Sequence, residues 1–466
     1  VTNPNLPSKI RNVTGLLTAL VLVVIVVQLC NAMLIASIPD MARRIGTSTE
    51  SIGLTQAFYF LAAGLAAVAL AGYSDFTDRR RLVLLVLAVT CVGIVVAAVA
   101  PTIDVLFAGR VLQGASGGLF PLVLRVLQET VPAGKFGWAM GIVSAAYAGS
   151  TGVDGLIGGW LTDNYGFRAV LAFMFLVAVT AMFVTARTLP ELPRATAGRL
   201  DRAGLVLLCL SLTVVQIGAG LAGDAGFLTA GLVIAVGVAL FAAFWWVERR
   251  TDAPLVPTGY LRSRQAWPVL ATSALIMAGL LSVLNYTVPV LSQDRVHGYG
   301  NTAMTTALLF IVPVAAVNLV FSPIAGHLAG RIGWHRVLRF ALACSVPVVA
   351  VLAYGYATQW LVVTLVAVFG LFSAMALTAI NGLSVLLAPD RNLAVLPGVN
   401  STAFAIGASL GITSASQIIA ASPGGDPSSP AVYQLALWMT VITAAAAFLV
   451  SLTVAETNDQ RIPNSG

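Results

Sequence analysis

Long apolar runs separated by short polar stretches fill almost the whole chain. A hydrocarbon core about 30 Å thick takes about 20 consecutive apolar residues of α-helix. By that measure the pattern predicts an all-α integral membrane protein with fourteen transmembrane helices, near 14–37, 51–72, 82–100, 104–128, 137–161, 168–188, 204–222, 227–247, 267–290, 303–325, 337–355, 361–386, 394–420 and 432–454. Cationic loops stay on the cytoplasmic side during insertion. Placing the amino end inside puts most of the 25 Lys and Arg residues in inner loops and leaves Arg43, Arg44, Arg168 and Arg295 outside, so both termini are expected in the cytoplasm.

One polar stretch occurs twice. Between the second and third spans, residues 71–82 (AGYSDFTDRRRL) crowd Asp75, Asp78, Arg79, Arg80 and Arg81 into a short inner turn, and residues 326–336 (GHLAGRIGWHR) hold the equivalent place between the tenth and eleventh. A loop that returns after eight spans divides the chain into a six-helix bundle (residues 1–188), a linker with two extra spans (189–266), a second six-helix bundle (267–454) and a cytoplasmic tail (455–466). The linker flanks, 190–202 and 248–264, are basic and rich in helix breakers. The extra spans, about 204–222 and 227–247, are plain Leu, Val, Ala and Phe apart from Gln216, and are expected to pack against lipid without chemistry.

Composition narrows the class further. With 58% hydrophobic and 9% charged residues, against the roughly 25% charged that soluble domains carry, the chain cannot be a soluble globular protein. The formal net charge of +7 sits in loops between spans and reports membrane orientation, not nucleic-acid binding. Lys9 and Lys135 are the two lysines, and neither lies in a phosphate-cradling G-x-x-x-x-G-K-[ST] loop, so any transport would draw on an ion gradient. Cys30, Cys91, Cys209 and Cys344 read as small buried hydrophobes. His297, in an outer loop, and His327 and His335, in the repeated inner loop, have no metal-ligand spacing, so neither metal nor cofactor is expected. Residues 1–13 are polar and lead into an apolar run without a cleavage site, read as a retained first helix behind a bacterial alternative start codon.

Charge deep in a membrane helix costs about 2.5 to 3.5 kcal/mol, so such residues usually face a cavity. Asp154, in GSTGVDGLIGGW, is the acid that falls well within a span. Burial favours its neutral, protonated form, which suits a group that takes up and releases a proton, although a neighbouring hydroxyl or amide pinning it in place is the alternative. Arg110 lies at a similar depth on the fourth span, where its permanent charge would oppose the burial effect on Asp154, unless it snorkels to the outer headgroups; Arg125 is expected to snorkel at the inner end. Asn31 and Gln28 are polar groups on the first span. Met33, Phe58 and Tyr59 form a candidate apolar wall for lipophilic cations, against the plainer reading of packing. Gln113, Asn285, Tyr286, Asn318, Asn381 and Asn400 are further candidates for the cavity, where the alternative is hydrogen bonding to a neighbouring helix.

Together these residues resemble the major facilitator superfamily, and within it the fourteen-helix drug:proton antiporter branch, over nearly the whole chain. The family's inner loop reads G-x-L-a-D-r-x-G-r-k. Asp75, Arg79 and Arg80 take its acidic and basic places in the first copy, with Ala71 and Asp78 where glycines are usual. Gly326, Leu328, Arg331 and Gly333 fit the second, with Gly330 at the aspartate. The resemblance implies that this loop holds one membrane-facing state closed through charge contacts with helix ends. Leu106, Arg110, Gln113, Gly114 and Gly117 or Gly118 match the fourth-helix pattern l-x-x-x-R-x-x-q-G-x-g, and Tyr59 matches an aromatic of the second helix. Gly158 and Gly159 match the end of the fifth-helix motif G-P-x-x-G-G, with Asp154 and Gly155 in place of its glycine and proline. On the first helix Pro39 fits L-D-x-T-x-x-N-x-A-x-P, while Cys30 stands at the aspartate.

The resemblance implies a proton-coupled antiporter of the bacterial inner membrane that exports lipophilic or cationic small molecules by alternating access, with multidrug efflux and antibiotic resistance as the outcome. Asp154 and Arg110 would couple the proton. A dedicated exporter of one metabolite, such as a diamine, amino acid or siderophore, is the alternative within transport. A non-transporting membrane sensor or a membrane enzyme is the distant one. The expected partners are the small-molecule substrate, protons and the lipid bilayer, with no nucleic acid and a monomeric protein.

Overall fold

The computed structural model describes residues 13–74, 77–131, 133–191, 202–221, 226–251, 263, 266–387, 395–420 and 431–454. Among these residues every regular element is helical and no strand occurs. We number the rods by span. α1 runs Val13–Ala32, tightens into a 3-10 turn at Ile35–Ser37 and continues as Ile38–Ile45. The break falls where Pro39 supplies no backbone N–H. α2 is Thr49–Tyr73 and α3 is Arg79–Ala98. α4 is Ile103–Gln113, a 3-10 turn at Gly114–Gly118, then Leu119–Thr130. α5 is Ala133–Tyr165, α6 Phe167–Thr188, α7 Arg202–Gly220 and α8 Gly226–Glu248.

In the second half α9 joins Trp267–Ser282 to Val288–Gln293 through a π-turn at Val283–Thr287. α10 joins Ala303–Thr306 to Val312–Ile332 through a π-turn at Ala307–Ile311. Each π-turn lies just ahead of a proline, Pro289 or Pro313, whose missing N–H opens the i to i−4 ladder. α11 is Trp334–Gly355, α12 Gln359–Leu386, α13 Val395–Ala420 and α14 Ala431–Ser451.

Twelve of the described helices are long and apolar enough to cross a membrane, where the sequence pattern led to an expectation of fourteen. α4 and α5 are the two that fall short. In α4, Asp104, Arg110, Gln113 and the glycines Gly109, Gly114, Gly117 and Gly118 dilute the apolar character of the helix. α5 extends for 33 residues, about 50 Å, but its glycines and Asp154 dilute its apolar character.

Helix contacts repeat with an offset of eight. α1 packs on α5 and α6, α3 on α4 and α6, and α2 on α4; α9 packs on α13 and α14, α11 on α12 and α14, and α10 on α12. Two seams join the halves, α2 against α13 and α5 against α10, and the same offset relates them. α7 and α8 pair with each other and dock over the first seam, where Leu208 and Phe244 meet Leu65, Val68 and Val399. The outer face of α8 presents Leu228, Leu232, Val236 and Val238, as a lipid-facing rod does. Gln216 departs from that expectation: it is buried, donating to the Thr413 hydroxyl and accepting from that of Ser409, both on α13.

Candidate functional site

The polar residues of α1, α2, α4 and α5 meet in one network at mid-helix. The Tyr59 hydroxyl donates to Asn31 Oδ1 at 2.8 Å, Asn31 Nδ2 donates to the Tyr147 hydroxyl at 3.3 Å, and Gln56 Nε2 donates to the Asn31 carbonyl at 3.1 Å. Asn31 and Tyr147 are half-buried, while Gln56, Tyr59 and Ser116 behind them are buried. Gln56 lies one helical turn from Tyr59, and Tyr147 two turns from Asp154, so each shares the face of its functional neighbour. That spacing was the available signal for both residues, neither of which the sequence reading singled out.

Arg110 is 1% exposed and therefore does not snorkel. Its Nη1 donates to Gln113 Oε1 at 2.6 Å and to the Cys30 carbonyl at 3.4 Å, its Nη2 donates to Gln56 Oε1, and its guanidinium lies 4.4 Å from the Tyr59 ring centroid. Gln113 passes the contact on to the Gly93 carbonyl at 3.3 Å. All these acceptors are neutral. The expected influence of Arg110 on Asp154 at matching depth is not realised, because the guanidinium points into the α1–α2–α4 core.

Asp154 is 1% exposed, and neither carboxyl oxygen has a hydrogen bond of good geometry, although the Gln28 side chain lies beside it. Its neighbour Gly155 faces the second half: a Cβ there would stand 2.8 Å from Ile311 Cγ2, in the π-turn of α10. Gly158 faces inward, where a Cβ would meet the Met33 carbonyl at 2.5 Å. The acid therefore stands next to the α5–α10 seam.

The remaining candidates divide. Met33 is fully buried against Gly158, and Phe58 packs ring to ring on Phe107 at 4.7 Å, so the wall expected from Met33, Phe58 and Tyr59 is not assembled as one surface. Asn285 and Tyr286 lie buried in the α9 π-turn, with the Tyr286 ring against Gly53 across the α2 seam. Asn400 accepts from Ser273 Oγ at 2.5 Å and donates to Asn381 Oδ1 at 3.4 Å, joining α9, α13 and α12. Asn318 is half-buried on α10, away from these bonds.

At the arginine loop, Arg79 is buried and pairs with Glu129 at 3.0 Å, Arg80 donates to the Ala186 carbonyl at 2.5 Å, and Asp78 caps α3 by accepting from the Arg80 amide at 3.0 Å. These contacts tie α3 to the ends of α4 and α6 inside the first half, not across a seam. Asp75 lies outside the described residues. In the second copy Gly326 sits on α10, Arg331 is exposed, and Gly333, at φ +100°, turns the chain from α10 into α11.

At the opposite end the halves are latched. Asp163, from the end of α5, accepts from the Ala303 and Met304 amides at 2.9 Å each, capping α10, and Gln293 donates to the Ala36 carbonyl at 3.0 Å. A polar cavity of about 550 Å³ lies there, lined by Asp40, Arg43, Arg44, Asp163, Arg295 and Asn301 among others.

Comparison with known proteins places this arrangement. The major facilitator superfamily pattern matches residues 20–412 and 316–464. A uridine/deoxyuridine transporter of Lactococcus lactis is 31% identical over 468 residues, covering 97% of each chain. Multidrug resistance protein Stp of Mycobacterium tuberculosis is 25% identical over 393 residues, covering 83% of this chain and 72% of its own. The fold matches that of a bacterial homologue of the lysosomal transporter Spinster, in an inward-facing unoccupied conformation, with a TM-score of 0.66, 17% identity and coverage of 94% and 97%. This chain belongs to the major facilitator superfamily, as a multi-pass membrane transporter and not an enzyme.

Proposed function

We propose that the protein is a proton-coupled secondary transporter of the bacterial cytoplasmic membrane, moving a small, polar, uncharged molecule of the pyrimidine nucleoside class by alternating access. The observation that carries the reading is Asp154: a buried acid without a well-formed hydrogen bond, one residue from the seam along which the halves must part. A carboxyl held only loosely beside the Gln28 side chain is free to change protonation when water reaches it, and its position lets that change act on the seam. Asn31, Gln56, Tyr59 and Tyr147 offer neutral donors and acceptors of the kind a base and a sugar use, and the Lactococcus relative carries uridine and deoxyuridine by its name. We read α4 and α5 as spans like the rest, making fourteen crossings in two six-helix bundles around the α7–α8 pair. Both termini then face the cytoplasm, the arginine loop lies inside, the Asp163 latch lies outside, and the protein acts as a monomer.

The test uses proteoliposomes with an imposed pH gradient and labelled uridine. Wild-type protein accumulates uridine against its gradient. Asp154→Asn is expected to lose gradient-driven accumulation at least tenfold while retaining uridine–uridine exchange; accumulation at the wild-type level removes Asp154 from the coupling role. Export of lipophilic or cationic drugs in exchange for protons is the second reading, favoured by the similarity to Stp. Growth protection across a toxic-compound panel, with no uridine flux in the vesicles, would establish it.

A further inference from the structure

The polar cavity at the latched end is lined from both halves. Arg43 and Arg44 come from the last turn of α1 and Arg295 from the loop between α9 and α10, with Asp40 and Asp163 as the acids among the lining residues. Both acids are already engaged. Asp40 accepts from Arg43 at 3.3 Å, from Arg44 at 3.1 Å and from the Phe167 amide at 3.0 Å, and each Asp163 oxygen takes one amide of α10. Three guanidinium groups thus share the cavity with two occupied carboxylates, a surplus of one positive charge. Arg43 and Arg44 each spend one N–H on Asp40, and Arg295 is exposed with no hydrogen bond or ion pair among the described residues. The loop that carries Arg295 is nonetheless fixed. Asn301 donates to Ser292 Oγ at 3.0 Å, the Gly300 amide to the Asp294 carbonyl at 2.9 Å, and the Asp294 carboxylate accepts from the Val296 amide and the Tyr433 hydroxyl at 2.8 Å each. Asp294 is therefore committed to its own loop and to α14, and Arg295 is left to the cavity.

From this arrangement we infer that the cavity is a binding site for an oxyanion of the phosphate class, and that the bound anion clamps the two halves together at this end. Guanidinium groups take phosphate oxygens through paired N–H donors. A halide could balance the surplus charge, but a tetrahedral oxyanion presents several acceptors. It can accept from Arg43 or Arg44 on one half and from Arg295 on the other at once. Guanidinium groups on opposite halves repel each other, and an anion between them turns that repulsion into attraction, adding to the Asp163 latch. The volume of about 550 Å³ is that of a small-molecule site, so a phosphate monoester fits as well as inorganic phosphate. A phospholipid headgroup offers the same chemistry from the membrane. The cavity lies apart from the mid-helix network, so the inference holds whichever cargo the protein carries; the orientation proposed above decides only that the anion acts from outside.

The experiment follows unfolding temperature and hydrogen–deuterium exchange over Ala303–Thr306 in the full chain, in phosphatidylcholine nanodiscs. Inorganic phosphate and uridine monophosphate are titrated against sodium chloride at equal ionic strength. Phosphate is expected to raise the unfolding temperature saturably and to slow exchange over Ala303–Thr306 at least threefold, with chloride doing neither. Arg295→Gln, which loses no bond of the fold, and Arg43→Gln are each expected to raise the half-saturating concentration at least tenfold. Arg336→Gln, at an exposed arginine of α11 near the opposite end, is expected to keep the wild-type value. Phosphatidylglycerol nanodiscs separate the two sources. Protection there without added phosphate, lost in Arg295→Gln, gives the site to the lipid headgroup; protection in phosphatidylcholine only on adding phosphate gives it to the free anion. No response beyond chloride to either source overturns the inference, as does a wild-type response from both Arg295→Gln and Arg43→Gln. Stabilisation without slowed exchange over Ala303–Thr306 overturns the clamp.

Discussion

At the scale of single residues, the network around Asn31 is held by amides in both directions. Gln56 uses its nitrogen on the Asn31 carbonyl and its oxygen on Arg110. Gln56→Leu removes both bonds and leaves a buried guanidinium short of an acceptor, which costs about 1–3 kcal/mol. Thermal unfolding in detergent should show the loss. Tyr59→Phe has a narrower effect: it frees Asn31 Oδ1 from its 2.8 Å bond while keeping the ring under Arg110. Uridine KM is expected to change several-fold, with little change in unfolding temperature.

At the scale of helices, the close approach of α5 to its neighbours depends on side chains that are absent. A Cβ at position 155 already stands 2.8 Å from Ile311, so Gly155→Val wedges the α5–α10 seam. Overpacking of this kind costs about 1–3 kcal/mol. Here it falls on the state in which the seam is shut, so turnover is expected to drop at least tenfold while the protein still elutes as a folded species. The α7–α8 pair is fastened differently. Its polar bonds go to α13, through Gln216 and through Gln417 donating to the Gly220 carbonyl, whereas its contacts with α2 are apolar. Side-chain bonds between membrane helices average about 0.6 kcal/mol and reach about 1.7. Gln216→Leu should therefore lower stability by about 1 kcal/mol in a detergent melt.

For the whole molecule, the eight-helix offset in packing makes two related seams, and the Asp163 latch closes one end of the α5–α10 seam. A carboxylate at a helix N-terminus contributes about 1 kcal/mol through the helix dipole, so Asp163→Asn should shift the balance toward the opened end about fivefold. Hydrogen–deuterium exchange over Ala303–Thr306 reads that shift directly. The described contacts of the arginine loop go to helix ends, the kind of contact its resemblance implied, and lie within the first half. Arg79 and Arg80 bind the ends of α4 and α6, so the described contacts brace the first half internally.

The sequence alone determined that the chain is built of membrane-length apolar helices and that a polar loop repeats along it, while its count of fourteen spans exceeds the twelve found among the described helices. These follow from local chemistry: span length answers to bilayer thickness, and buried charge is expensive wherever it falls. It also singled out Asp154, Arg110, Asn31 and Tyr59. The tertiary structure decided which of them touch. Depth along a helix can be read at 1.5 Å per residue, but the direction a side chain takes depends on how each rod is rotated and tilted against its neighbours. Rotation turned Arg110 toward Gln56 and Gln113 instead of Asp154, drew Tyr147 to Asn31, set Phe58 on Phe107, and made Gln216 a fastening point on a helix that otherwise reads as bland. Pairings between different helices, 54 positions apart for Gln56 and Arg110 and 197 for Gln216 and Thr413, leave no periodic trace in a single sequence, and only the packed bundle brings them together.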